Sequence, residues 1–230
     1  MEINEIIASK YQVTDILKNQ PDCQVCICIN LYLKSKWVIK YVPVKHKKPP
    51  LGLEILLNLQ TRGVPRVVDV IYDGSGCYYV MEYIRGITLL EAMQNKRVNP
   101  RTYIKWMLHM ASILESIHSL NVVHGDIKPS NIMILEDDSV VLIDFGSSFE
   151  SLDSRSYTLE YVAPERLLDH CEVNEKSDLY SIGLVYKEMM KAFKYKGRKL
   201  NKLVKGLTKV NPDNRIPGAY VISDILNSYS

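Results

Sequence analysis

No uncharged apolar run in these 230 residues is long enough to cross a bilayer, so no membrane-spanning helix is expected. The opening Met1-Glu2-Ile3-Asn4-Glu5 is acidic and lacks the apolar core of a secretion signal, and the expectation is a soluble, intracellular, cytoplasmic chain. Net charge is also small: 29 Lys and Arg against 26 Asp and Glu leave +3, too little to argue for nucleic acid or a membrane surface. Cysteine is limited to five residues. Cys23-x-x-Cys26 has no second pair after it, so a zinc site would lack its other half. Cys26 and Cys28 alternate with Val25, Ile27 and Ile29, the period of a strand, and read as buried, reduced packing residues. There is no internal repeat and no low-complexity segment. What remains, 47% hydrophobic and 24% charged, is ordinary globular composition with enough chain for a real core.

The first third reads as strands. Residues 11–17 and 24–33 flank a turn at Gln20-Pro21-Asp22, and 37–42 form a third strand ending in the basic run Lys45-His46-Lys47-Lys48-Pro49-Pro50. Residues 51–59 are a short helix candidate after Pro50. Residues 66–72 and 77–84 make a hairpin with Asp73-Gly74-Ser75-Gly76 at its tip. After Gly86 the period becomes helical. A short helix at 88–95 precedes a long amphipathic one at 101–120, opened by Asn99-Pro100, with Ile104, Met107, Leu108, Ala111, Leu114 and Ile117 on one face. Further helices are expected at 178–191, 201–210 and 220–228.

The long helix leads into Val122-Val123-His124-Gly125-Asp126-Ile127-Lys128-Pro129-Ser130-Asn131, followed by a short apolar strand and Asp144-Phe145-Gly146. A carboxylate that can take a proton, an amine that can touch phosphate, and an amide and a second carboxylate that can hold a hard cation form a set suited to phosphoryl transfer. The pair of motifs closely resembles the catalytic and metal-binding loops of Hanks-type serine/threonine protein kinases, and the resemblance runs over nearly the whole chain. It implies one kinase domain over 1–230 with an α+β, two-lobed fold: a β-rich lobe at 1–84, with a hinge from about 82, and a helical lobe at 85–230, with a cleft between them. By that resemblance Asp126 is the base for the substrate hydroxyl, and Lys128 neutralises charge on the transferring group. Asn131 and Asp144 hold magnesium, or manganese in its place, on ATP. Lys40 matches the phosphate-binding lysine. Met81-Glu82-Tyr83-Ile84 matches the hinge, whose backbone binds adenine. Thr158 opens Thr158-Leu159-Glu160-Tyr161-Val162-Ala163-Pro164-Glu165, which resembles the substrate-binding end of the activation loop. Structural roles fall to His124 and Phe145, stacked in an apolar column, to the ion pair Glu165–Arg215, and to Asp178 beneath the catalytic loop.

The departures from the family pattern gather in the small lobe. The stretch from Leu17 to Cys23 has no glycine where a glycine-rich phosphate loop is expected. Gly52 aligns with the helix glutamate that partners the lysine. Glu54 lies about 200° further round, while Leu56 falls toward the Phe145 column. Either the ion pair is lost, or Pro49-Pro50 and Gly52 distort the helix start so that Glu54 reaches in. Gly125 stands where many kinases carry an arginine that receives an activation-loop phosphate, so activity is expected without that phosphate; Arg155 is a local substitute to weigh. The basic residues of 191–200 read as a solvated surface or as a docking face for an acidic partner. The leading expectation is ATP-dependent transfer to a serine or threonine of a protein substrate. The rivals are a pseudokinase acting through a protein partner and a small-molecule kinase. The segment from Thr158 to Glu165 argues against the latter.

Overall fold

The computed structural model describes residues 1–21, 23–43, 59, 61–95, 98–145, 159–168 and 174–228. Contacts gather into two units, Met1–Gln60 with Pro65–Ile84, and Thr61–Val64 with Arg85–Ser230.

The first unit is built on one antiparallel sheet. Its strands are β1 (Ile6–Ile7), β2 (Tyr11–Gln20), β3 (Cys23–Asn30), β4 (Lys36–Pro43), β5 (Val67–Tyr72) and β6 (Gly76–Glu82), in the order β1-β2-β3-β4-β6-β5. β2 runs further than its apolar pattern suggests and stays paired to β3 as far as Gln20↔Cys23. β3 stops short of residue 33 because the Asn30 side chain accepts the N–H groups of Tyr32 and Leu33, bending the chain out of the ladder. The β5–β6 tip closes on Asp73, whose carboxylate accepts the N–H groups of Ser75 and Gly76, with Gly74 at φ +89°. Cys26 and Cys28 pack with Tyr11, Val13, Ile39 and Val80 in the core. Burial pushes their thiols up to about 11 and 12, so they remain protonated and inert. The expected basic loop and the helix at 51–59, with Gly52, Glu54 and Leu56, fall outside the described residues apart from Leu59.

The second unit is mainly helical. β7 (Ile87–Thr88), β8 (Ile132–Ile134) and β9 (Val140–Leu142) form a small sheet beside α1 (Leu89–Asn95). α2 (Pro100–Ser119) starts at Asn99, which accepts the Thr102 N–H. Its buried face is wider than the sequence stripe. It takes in Tyr103, Trp106, Met110 and Ile113, and leaves Leu108 half-buried at the edge. α3 (Glu175–Ala192) begins with an Asn174–Ser177 capping box, and Tyr186 donates from it to the Met107 carbonyl of α2 at 2.8 Å. α4 (Arg198–Leu207) packs on α3, and α5 (Ala219–Asn227) packs on α2. Gly183 of α3 lies against the end of α4; a Cβ there would meet Leu207 Cβ at 2.7 Å. Gly63 sits at φ +82° and accepts the Leu142 N–H, which joins residues 61–64 to this unit.

Candidate active site

After α2 the chain turns at Leu120 and Asn121, the latter at φ +56°, a conformation asparagine tolerates. It then runs without regular structure to a 3-10 turn, Pro129–Asn131, which enters β8. This short excursion brings three polar side chains together. Lys128 Nζ lies 2.6 Å from Asp126 Oδ2. Asn131 Nδ2 donates to the Asp126 carbonyl at 2.8 Å and to Oδ2 at 3.1 Å. With its nitrogen committed to Asp126, Asn131 has its amide oxygen as the acceptor for a hard cation. Asp144 follows β9 at φ +64°, a strained conformation for an aspartate.

His124 is fully buried and has both ring nitrogens engaged. Nδ1 accepts the Asp126 N–H at 3.2 Å, and Nε2 lies 3.0 Å from the Ile143 carbonyl. That pattern needs the neutral ring with its proton on Nε2. Burial agrees, lowering the affinity of His124 for a second proton against the pull of Asp178 and the Ile143 carbonyl. Its ring packs on Phe145 at 4.5 Å between centroids. The histidine thereby ties the Asp126 backbone to the end of β9.

Beneath the loop lies Asp178, 1% exposed. It accepts the His124 N–H at 2.8 Å, the Gly125 N–H at 2.9 Å and His118 Nε2 at 2.9 Å. Burial works against the carboxylate, but the His118 bond, the two histidines and the backbone donor hold it below the ordinary range. Glu165 and Arg215 form a two-pronged pair with both contacts at 2.6 Å, and Arg215 also donates to the Lys176, Lys209 and Val210 carbonyls.

Two residues escaped the sequence reading. His118, in the last turn of α2, supports Asp178. Arg166 donates from Nη1 to the Gly125 carbonyl; its only sequence signal is its place one residue after Ala163-Pro164-Glu165. Lys40 stands in β4, paired in register with Val25 and Tyr79. Met81 and Glu82 end β6, and Tyr83 and Ile84 follow. These belong to the first unit, and the loop residues to the second. Thr158 and Arg155 lie outside the described residues.

Residues 22–223 match the model of the protein kinase domain. The chain belongs to the protein kinase family. With that membership goes the α+β, two-lobed kinase fold. Among curated relatives, this kinase-family chain is 31% identical over 193 residues to the serine/threonine-protein kinase PknD of Chlamydia trachomatis, covering 64% of this chain and 21% of that protein. It is 32% identical over 143 residues to an Aurora kinase of Schizosaccharomyces pombe, covering 60% and 40%. It is 34% identical over 140 residues to a probable serine/threonine-protein kinase of Clostridium acetobutylicum, covering 57% and 21%. These matches span only about a fifth to two fifths of each relative's length. Among the described residues, no helix is long and apolar enough to cross a membrane.

Proposed function

We propose that this chain is an ATP-dependent serine/threonine protein kinase. The observation that carries the reading is the cluster of Asp126, Lys128 and Asn131. It joins a carboxylate, a cation and an amide at hydrogen-bond distances on a loop gripped from below by Asp178. Asp126 accepts the proton of the substrate hydroxyl. Lys128, now on Asp126, neutralises charge on the phosphoryl group as it moves. The Asn131 oxygen and the Asp144 carboxylate would hold magnesium or manganese, which supplies the positive charge that ATP phosphates require. Lys40 meets the phosphates, and the backbone of residues 81–84 receives adenine. By family resemblance, Thr158 belongs to the segment that takes the protein substrate.

The second reading, a pseudokinase working through a protein partner, is favoured by the stretch from Leu17 to Cys23, which carries no glycine to let backbone amides approach phosphate. One set of measurements separates the two. Purified protein with labelled ATP and magnesium or manganese is expected to phosphorylate a generic serine/threonine substrate. Asp126→Asn should lower turnover about 10²–10⁴-fold while keeping nucleotide binding. Asp144→Asn should weaken metal–nucleotide binding as well, and Lys40→Met should lower activity strongly. Full activity in either aspartate variant would overturn the assignment. No thermal stabilisation by ATP with either metal would favour the pseudokinase, since a ligand bound only by the native state must stabilise it.

A further inference from the structure

Between residues 191 and 210 the chain carries eight Lys or Arg and no Asp or Glu. The remaining 210 residues hold 21 basic and 26 acidic side chains, a net −5, so this stretch is what turns the balance of the chain positive. All eight basic residues are exposed. On α4, Arg198, Lys202 and Lys205 fall within about 60° of one another around the axis, in a row about 10 Å long, and Lys209 follows just past the helix end. None of these four side chains has an ion-pair partner among the described residues. Lys199 points elsewhere, to Ser228 at 3.3 Å.

We propose that this row is a docking face for an acidic polypeptide segment carried by the protein substrate. The identity of the carrier rests on the kinase reading above. An extended strand places same-side residues about 6.7 Å apart, close to the roughly 4.5–6 Å steps of the basic row, so alternating Glu or Asp can meet it. Other polyanions fit less well. The apolar side of α4, Leu200, Leu203, Val204 and Leu207, is buried within the unit, which leaves nothing to insert among lipids. The nearby rings of Phe193 and Tyr195 are engaged with Tyr103 and Trp106, which makes them poor platforms for stacking bases. Seven of the eight cations are lysines, compact point charges suited to diffuse attraction and not to two-pronged recognition. Each exposed pair is weak and screened, so binding depends on their number and falls with salt.

The test reads binding directly and needs no catalysis, so its failure is separable from failure of the kinase reading. Fluorescence anisotropy of a labelled alternating Glu-Gly dodecapeptide is measured at 50 and 300 mM NaCl beside a Gln-Gly control. The Glu peptide should bind at 50 mM, weaken at least tenfold at 300 mM, and bind at least tenfold less tightly to Arg198→Glu/Lys202→Glu/Lys205→Glu. The charge-matched Lys34→Glu/Arg62→Glu/Arg101→Glu variant should retain binding, and circular dichroism should show both variants folded. In the active enzyme, fusing the acidic segment to a peptide substrate should lower KM and leave kcat unchanged. Absence of binding at 50 mM, equal loss in both triple variants, or undiminished binding to the α4 variant overturns the proposal. Tighter capture of duplex DNA or of phosphatidylserine vesicles through the same three residues overturns the choice of occupant.

Discussion

Gly125 is gripped from both ends: its N–H donates to Asp178 and its carbonyl accepts from Arg166. Its φ of +79° suits a residue without a Cβ. A guanidinium thus reaches this glycine from 41 residues downstream, carried by the 3-10 turn Pro164–Leu167. A charge-assisted bond of this kind contributes roughly 1.5–3 kcal/mol. Arg166→Met is expected to lower kcat about tenfold, about 1.4 kcal/mol of barrier, with KM for ATP unchanged. Arg166→Lys should recover part of the loss, because one ammonium donor can still reach a carbonyl. Steady-state kinetics with both substrates varied checks this, and a rise in KM for ATP alone would contradict it. Asp126, Lys128 and Asn131 were legible in the sequence because they lie within five residues of one another. Arg166 on Gly125 and His118 on Asp178 were not, because no local pattern joins residues 41 and 60 positions apart.

At the scale of elements, the Glu165–Arg215 pair joins the 3-10 turn Pro164–Leu167 to the start of α3 through Lys176 and to the chain after α4 through Lys209 and Val210. Arg215 is buried, and five acceptor atoms share its donors and its charge. Arg215→Met would leave Glu165 charged and buried. The expected cost is about 3–5 kcal/mol, seen as a lower urea midpoint at unchanged slope. Glu165→Gln/Arg215→Met should recover part of that loss. Helices and strands were readable from period alone, but their ends were not. β3 ends where the Asn30 side chain takes over backbone donors, and β2 continues where its apolar alternation has already lapsed. The pairing of Glu165 with Arg215 came from family resemblance, since nothing in the 49 intervening residues announces it.

For the molecule as a whole, two buried groups contribute to the response to acid. His124 has its proton affinity lowered by burial, so the unfolded chain takes up a proton first as pH falls below about 6.5, and stability is lost from there downward. Asp178 is held below the ordinary carboxylate range, so its contribution is complete above about 4 and lost as pH falls below that. Both therefore favour the folded state at neutral pH, in two successive windows. Thermal melts should show the midpoint falling between pH 7.5 and 5.5, with a smaller fall in His124→Phe, and a second fall below pH 4 in both proteins. An equal fall in both proteins over the upper window would assign that loss to other groups.

The three donors on Asp178 also set how quickly the loop trades hydrogens with solvent. Irregular segments usually open by small local fluctuations and exchange fast. The amides of His124 and Gly125 cannot do so, because each points at a buried carboxylate that α3 itself carries and His118 of α2 also holds. Releasing them means parting two helices. In deuterated water these two amides are expected to exchange as slowly as those in the middle of α2. The segment bearing Asp126 would then keep a memory of its protons that its lack of regular structure does not suggest.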